Sequence, residues 1–435
     1  MRSNRGYGPA AVALTVVLLG VTVSLGFGQR PSDDRTVPGV PSPRLVVPVS
    51  EGDWVGTWAT APAGAEPGTG HGLPDRSLRN VLRTSVAGAS VRVELSNRYG
   101  TEPLPLTRAS VALAADGGPA ARPGSVRRLT FRGESSPVLA AGTSVVSDPV
   151  PFAVQAGADL LVTVYVAERS GPVTYHRRAG RTNYAAAGDQ TGDVSGRPFT
   201  ETTTHWRYVT GVQVLNPEVE GAVVMLGDSL TDGISATFGA HRGWPDLLAV
   251  RLRQEPGRPS YAVLNKGLSG NRLLTDAAPG RPFNGSAGLR RLHTDVLPQP
   301  GVRTVVVQLG INDIIRAAEP PDPGLVVAGL RQLATEARER GLWVAGATLA
   351  PFRGHSGWSA EREAVRERVN EEIRAGTVFD AVVDLDAALR DPLRPDRLLP
   401  EYDSGDHLHP NDAGFRAMAV AVEPEALVRG YGAAL

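Results

Sequence analysis

Three short segments hold the residues of this sequence whose types and spacing could do chemistry. Ala222 to Leu226 is an apolar run that stops abruptly at Gly227-Asp228-Ser229. A buried parallel strand that ends this way leaves a serine hydroxyl at its carboxyl end. Leu309-Gly310-Ile311-Asn312-Asp313 follows a second such run, Val305-Val306-Val307, and Asp406-His407-Leu408-His409-Pro410 lies near the C-terminus. A serine hydroxyl is a poor nucleophile until a base removes its proton. Histidine is the usual base, and a carboxylate fixes its tautomer and stabilises the imidazolium. The spacing of Asp406 and His409, on one loop or the first turn of a helix, lets the carboxylate reach Nδ1 and leaves Nε2 free for Ser229. Pro410 is a natural first residue for a following helix. The three segments describe a serine hydrolase with Ser229, Asp406 and His409 as its catalytic set.

Such a serine also needs donors for the oxyanion, each worth roughly 10²–10³ in rate. Their source follows from the elements that must position them. From about residue 218, strand-like runs at 222–227, 260–265, 302–309, 342–348 and 381–385 alternate with helical stretches at 243–254, 286–296, 325–340, 359–375 and 411–428. That alternation predicts an α/β fold with a parallel sheet covered on both faces. In the flavodoxin-like, doubly wound order 2-1-3-4-5, strands 2, 1 and 3 are neighbours and ligands bind beyond their carboxyl ends. Ser229 follows strand 1, Gly270 strand 2 and Asn312 strand 3, so all three meet at one crevice. The Ser229 amide, the Gly270 backbone N–H, approachable for want of a side chain, and the Asn312 side-chain amide are the candidate oxyanion donors. The connection from Asp386 to Asp406, read as mostly loop, is long enough to carry His409 there at ~3.3 Å per residue.

In this arrangement the chain resembles the SGNH/GDSL hydrolase family over roughly 220–430. Gly227-Asp228-Ser229-Leu230 looks like its first block, Asn265 to Gly270 is similar to the second, Gly310-Ile311-Asn312-Asp313 to the third, and Asp406-His407-Leu408-His409 matches its Asp-x-x-His block. The resemblance implies hydrolysis of an acyl ester without metal or cofactor, with Ser229 as nucleophile, Gly270 and Asn312 as donors, and Asp406 and His409 catalytic. Gly267 departs from the pattern as a second glycine that could be the donor. The whole layout resembles secreted actinobacterial members with an N-terminal β-domain.

The N-terminus points outward. Met1 to Gly8 carries Arg2 and Arg5 and no acid, an apolar run extends from Pro9 to about Phe27, and Gly26 and Gly28 precede Gln29. Residues 1–28 fit a secretory signal peptide. Because the run approaches the ~20 residues that span a bilayer, an uncleaved N-terminal anchor is the other reading. Either puts the remainder outside the cytoplasm, and only the anchor brings a membrane as partner. Residues 29–50 are Pro-rich and read as a linker. Residues 51–216 read as an all-β, sandwich-like domain with its own core, and 217–435 as the hydrolase domain. Candidate strands in the first are 54–59, 79–85, 90–96, 107–114, 126–132, 160–166 and 172–178, the sixth being the more buried.

Composition narrows the partners. The chain carries 45 basic and 45 acidic residues, which gives no reason to expect nucleic acid. It has no Cys, which removes disulfides, zinc–thiolate sites and thiol catalysis. Asp228 and Asp313 read as carboxylates that hold turns through backbone groups, and His407 as a solvated neighbour of His409. Gly354-His355-Ser356-Gly357-Trp358 approaches a Gly-x-Ser-x-Gly elbow, but Trp358 stands where the last Gly belongs and the segment follows the fourth strand. It reads as a loop over the site, where His355 and Trp358 either line a pocket or are plain loop residues. A metal cluster of Asp403, Asp406, His407 and His409 would leave Ser229, Gly270 and Asn312 without a role. Trp244 and Pro245 read as packing. So do Trp54, Trp58, Trp206, Tyr175 and Tyr184, with sugar stacking as the other reading. The expected substrate is an acyl ester, with short acyl groups on a polysaccharide, a cell-wall glycan or a small alcohol. A lipase or phospholipase, and a catalytically silent glycan-binding protein, are the alternatives.

Overall fold

The computed structural model describes residues 53–254 and 260–428. The expected signal or anchor at 1–28 and the linker at 29–50 lie outside them. Between Trp54 and Leu215 every strand pairing is antiparallel. One sheet is built on Asp159–Val166, flanked by Arg76–Arg83 and Arg108–Leu113. The other runs Trp54–Ala59, Val209–Leu215, Gly88–Ser96, Val150–Val154, with Ser144–Val146 also on Gly88–Ser96. Period-two alternation turns Val91, Val93 and Leu95 toward Leu160, Val162 and Val164 in a shared core. Leu161 points the other way, into a smaller cluster with Val81 and Ala112, so this strand is buried on both faces. A third small sheet joins Trp206–Arg207, Thr174–His176 and Gly64–Ala65.

The differences from the sequence reading have local causes. The run expected at 126–132 joins the sheet as a strand only at Arg127–Arg128, and Phe131 makes an isolated bridge with Glu134. Val209–Leu215, the strand between Trp54–Ala59 and Gly88–Ser96, escaped notice because its alternation is broken by a register shift at Val209/Gly211. Trp54, Trp58 and Tyr175 are buried in packing, and Trp58 meets Trp206 edge to face at 4.9 Å.

After Leu215 the sheet becomes parallel. Its strands lie in the order Tyr261–Gly267, Gly221–Gly227, Val302–Gln308, Trp343–Ala347, Ala381–Val383, which is 2-1-3-4-5 in chain order. Alternation distributes the third strand between two layers. Val305 and Val307 pack with Val326, Leu330 and Leu333 of helix Pro323–Glu339. Val306 packs with Leu248 and Leu252 of helix Trp244–Gln254 and with Phe415 and Met418 of helix Asp412–Ala421. Helix starts follow capping chemistry: Asp322 accepts the Gly324 N–H ahead of Pro323, and Ser359 accepts the Arg362 N–H ahead of Ala360–Arg374. The helix expected at 286–296 is a turn of α-helix, Gly288–Arg291, that widens into a π-turn, Leu292–Val296. The connection to Asp406 is not mostly loop, since it holds a short helix, Leu385–Leu389, and a hairpin of Arg390–Asp391 with Arg394–Leu398.

The two regions do not have separate cores. One apolar cluster runs from Val55 and Val91 through Leu264 to Val305 and Phe352. At Gly56 an added Cβ would come within 2.7 Å of the Leu264 side chain. The one lysine of the sequence, Lys266, is buried at the seam, where its Nζ donates to the Thr60 carbonyl at 2.8 Å. Arg98 reaches across to Asp295 at 2.9 Å. All the described residues belong to one compact unit.

Candidate active site

The parallel register aligns Gly227, Gly267 and Gln308 at the carboxyl edge of the first three strands. The chain therefore leaves all three at the same level, and the turns beyond them converge. Asp228 caps the one-turn helix Ser229–Asp232 by accepting the Leu230 N–H at 3.1 Å. Asp228 is fully buried, and that burial, outweighing its hydrogen bonds, pushes its carboxyl up to about 7. Its expected turn-holding role is what the structure has.

His409 arrives from the segment before the last helix. Asp406 Oδ1 accepts the backbone N–H groups of His409 at 2.8 Å and Leu408 at 3.0 Å, which folds the loop back on itself. Asp406 Oδ2 accepts from His409 Nδ1 at 2.5 Å. A carboxylate only accepts, so Nδ1 carries the hydrogen and Nε2 is left as acceptor for the Ser229 hydroxyl, 2.8 Å away. Burial would raise the Asp406 carboxyl, but the hydrogen bonds and charge of His409 hold it below the usual carboxylate range. Pro410 precedes the helix rather than opening it. Asn411 is the cap, accepting from Ala413 and Gly414.

His407 faces away into its own pair with Asp403, Nδ1 to Oδ2 at 2.5 Å. Asp403, Asp406, His407 and His409 thus form two separate carboxylate–imidazole pairs. Among the described residues no group of three or more such side chains is arranged to hold a metal ion.

Ser229, Gly270, Asn312 and His409 line one cavity of about 590 Å³. Gly270 takes φ +76°, and an added Cβ there would lie 2.8 Å from the Asn284 carboxamide. Gly267 ends the second strand and packs against the backbone of Thr231 and Asp232, so the glycine in the cavity is Gly270. Among the described residues neither the Ser229 nor the Gly270 N–H donates to another group. The Asn312 amide is oriented from both sides. Its Oδ1 accepts from Arg316 Nε at 2.8 Å, and its Nδ2 donates to Asp228 Oδ2 at 3.3 Å. The second Nδ2 hydrogen remains for the cavity. Asp313 accepts the Leu273 and Leu274 N–H groups at 2.7 and 3.0 Å, tying the third-strand turn to the segment after Gly270.

Two buried cations steady the same loops. Arg291 donates to the Lys266 carbonyl, to the Gly227 carbonyl at 3.2 Å and to Asn271 Oδ1 at 2.7 Å, and Asp295 neutralises it at 2.8 Å. His176 comes from the antiparallel region. Its Nδ1 lies 2.6 Å from the Ala61 carbonyl, and its Nε2 lies 3.0 Å from Asp232 Oδ1 and 3.1 Å from the Arg178 carbonyl. Asp232 Oδ2 in turn accepts from both the N–H and the hydroxyl of Ser269, next to Gly270.

Sequence reasoning missed His176, Arg177, Arg178, Phe283 and Arg316, all of which line the cavity. The first three come from the β region, where no local pattern marks them. Arg316 could have been found as one helical turn beyond Asn312. His355 lines the cavity as one expected reading had it, whereas Trp358 does not and stacks instead under Arg353 at 5.0 Å.

Compared with known proteins, residues 225–417 match the GDSL-like lipase/acylhydrolase family. No curated protein matches the chain. Similar solved structures include a protein of the G-D-S-L family from Desulfitobacterium hafniense DCB-2, at 20% identity over 46% of this chain and 97% of that one, TM-score 0.35. The acetylxylan esterase Axe2 from Geobacillus stearothermophilus is 20% identical over 48% of this chain and 96% of that one, TM-score 0.36. A carbohydrate esterase family 2 enzyme with a carbohydrate-binding domain from Corynascus thermopiles is 15% identical over 85% of this chain and 96% of that one, TM-score 0.35.

Proposed function

From the premise that residues 225–417 form a GDSL-like lipase/acylhydrolase domain, and the protein is accordingly a carboxylic ester hydrolase, we propose that it works through a Ser229–His409–Asp406 triad. The observation that carries this reading is the unbroken chain Asp406 Oδ2 to His409 Nδ1, 2.5 Å, and His409 Nε2 to Ser229 Oγ, 2.8 Å, opening into a cavity. Ser229 Oγ attacks the acyl carbonyl as its proton passes to His409 Nε2. The oxyanion is held by the Ser229 and Gly270 N–H groups and the Asn312 amide. His409 then gives the proton to the departing alcohol, leaving an acyl-serine. Water, deprotonated by His409, attacks the acyl-serine, and collapse of the second oxyanion returns Ser229 and releases the acid.

The substrate reading is a short acyl group on a carbohydrate or small alcohol, met outside the cytoplasm. It rests on the export-like N-terminus of the sequence and on the β region that supplies part of the cavity wall.

The test is hydrolysis of p-nitrophenyl acetate, butyrate, octanoate and palmitate by wild type and Ser229→Ala side by side. Turnover confined to short chains and lost in the variant is the expected result. A maximum at long chains would replace the short-ester reading with a lipase. A folded wild type inert on every ester, or an active Ser229→Ala, would overturn the triad.

A further inference from the structure

We infer that the ester this site takes carries an anionic group, a carboxylate or a phosphate, close to the scissile bond. The inference rests on the esterase reading above and concerns what else the cavity binds. Five arginines line it: Arg177, Arg178, Arg281, Arg316 and Arg362. One acid lines it, Asp232, and its oxygens are already taken by His176 and Ser269. The chain as a whole is neutral, with 45 basic and 45 acidic residues, so this is local segregation and not the composition of the protein.

The arginines differ in what occupies them. Arg362 spends its guanidinium on the carbonyls of Gly357 and Ala317. Arg316 uses Nε on Asn312. Arg177 lies over the Phe283 ring at 4.2 Å. Among the described residues none of Arg177, Arg178, Arg281 and Arg316 has a carboxylate within ion-pair distance. Elsewhere in the fold arginines bordering polar seams are paired, as Arg181 is with Asp159 and Arg207 with Glu66. Arg177, Arg178, Arg281 and Arg316 come from three separate places in the chain: the antiparallel region, the segment after Gly270 and the end of the helix that carries Asn312. Burial lowers the Arg316 pKa, and the charges of Arg281 and Arg272 lower it further against the opposing pull of Asp228. Several like charges gathered on one cavity without a carboxylate at ion-pair distance oppose one another, and an anionic ligand relieves that opposition. Planar guanidinium groups suit carboxylate and phosphate in particular, since they can bind two oxygens at once.

Positive walls around a cleft raise the local concentration of an anionic substrate by about 10–10³. The experiment uses matched pairs. On the acyl side these are p-nitrophenyl valerate and mono-p-nitrophenyl glutarate. On the alcohol side they are 3-acetoxybenzamide, 3-acetoxybenzoate and 3-acetoxyphenyl phosphate. Each rate is divided by that ester's spontaneous hydrolysis. At low ionic strength wild type should favour at least one anionic member over its neutral partner by about tenfold or more in kcat/KM. That preference should shrink as salt shortens the Debye length from ~30 Å to ~3 Å. Arg177→Gln/Arg281→Gln, at two exposed positions, should lower the preference severalfold. Whichever of carboxylate and phosphate is favoured identifies the source. Equal or better turnover of every neutral ester would overturn the inference and leave the esterase standing, whereas no turnover of any ester would sink both.

Discussion

His176 Nε2 and Asp232 Oδ1 sit 3.0 Å apart in a buried contact between the antiparallel region and the turn that carries Ser229. Both nitrogens of the His176 ring face acceptors, so both carry hydrogens and the ring is an imidazolium. Burial pulls its pKa down, but the charge and hydrogen bond of Asp232, with those of Ala61 and Arg178, carry it above the ordinary histidine value. Through Asp232 the pair holds Ser269, and with it the Gly270 loop.

The folded ring keeps a proton that an unfolded histidine gives up near pH 6.5, so the stabilisation is complete below that pH and is lost as pH rises through the folded value. Thermal unfolding of wild type should therefore weaken on the alkaline side of pH 6.5. His176→Gln should flatten that slope and cost on the order of 3 kcal/mol at pH 6. If Gly270 is the donor proposed above, the variant should also lower kcat more than it raises KM, because the loop loses its anchor. An unchanged pH slope in the variant would place the proton elsewhere.

Asp406→Asn isolates the role of the carboxylate. An asparagine oxygen can still accept the Leu408 and His409 N–H groups that fold the loop. Its amide, however, donates toward Nδ1 and favours the tautomer with hydrogen on Nε2, which cannot take the serine proton. We expect kcat to fall by roughly 10²–10⁴ with little change in melting temperature. His407→Ala is the matched control: it removes the separate pair with Asp403 and leaves the Asp406–His409–Ser229 contacts in place, and turnover should change less than about twofold. A large loss in His407→Ala with a mild one in Asp406→Asn would reverse the assignment.

Gly270→Ala tests the backbone donor by two separable effects. At φ +76° any Cβ is strained, and here it also meets the Asn284 carboxamide at 2.8 Å. The loop must shift, and kcat should drop by roughly 10²-fold, the loss expected for one oxyanion donor. Gly270→Ala/Asn284→Ala removes the collision but not the strain, so it should recover part of the rate. No recovery would assign the whole effect to backbone conformation, and no loss in the single variant would remove Gly270 from the oxyanion site.

What the sequence made legible divides by range. The parallel strand order, Ser229 after the first strand and Asn312 after the third were readable, because apolar runs ending in Gly, Ser and Asn encode them locally. The Asp406–His409 pair was readable from a three-residue spacing. The core shared by the two regions was not, since nothing near Gly56 or Leu264 in sequence points to the other. His176 escaped for the same reason. It lies 56 residues from Asp232, on a strand whose own pattern is explained by packing. The wall of arginines was hidden by composition: in a chain whose basic residues are all Arg but one, a single Arg is no signal until the fold gathers several.

The Asn312 amide offers the sharpest separation of binding from chemistry. Its oxygen is held by Arg316 and one amide hydrogen by Asp228, so the second hydrogen is aimed before substrate arrives. Donors fixed in advance act on the charge that develops in the transition state, where the ground-state carbonyl gains less. Asn312→Ala should therefore lower kcat by roughly 10²–10³ while KM for a neutral ester stays within a fewfold. Asn312→Asp should do at least as badly, since it replaces the donor with an acceptor and sets a second carboxyl against Asp228, already raised to about 7 by burial. The measurement is kcat and KM for p-nitrophenyl acetate in both variants. A loss confined to KM would show that Asn312 binds the substrate and does not stabilise the oxyanion.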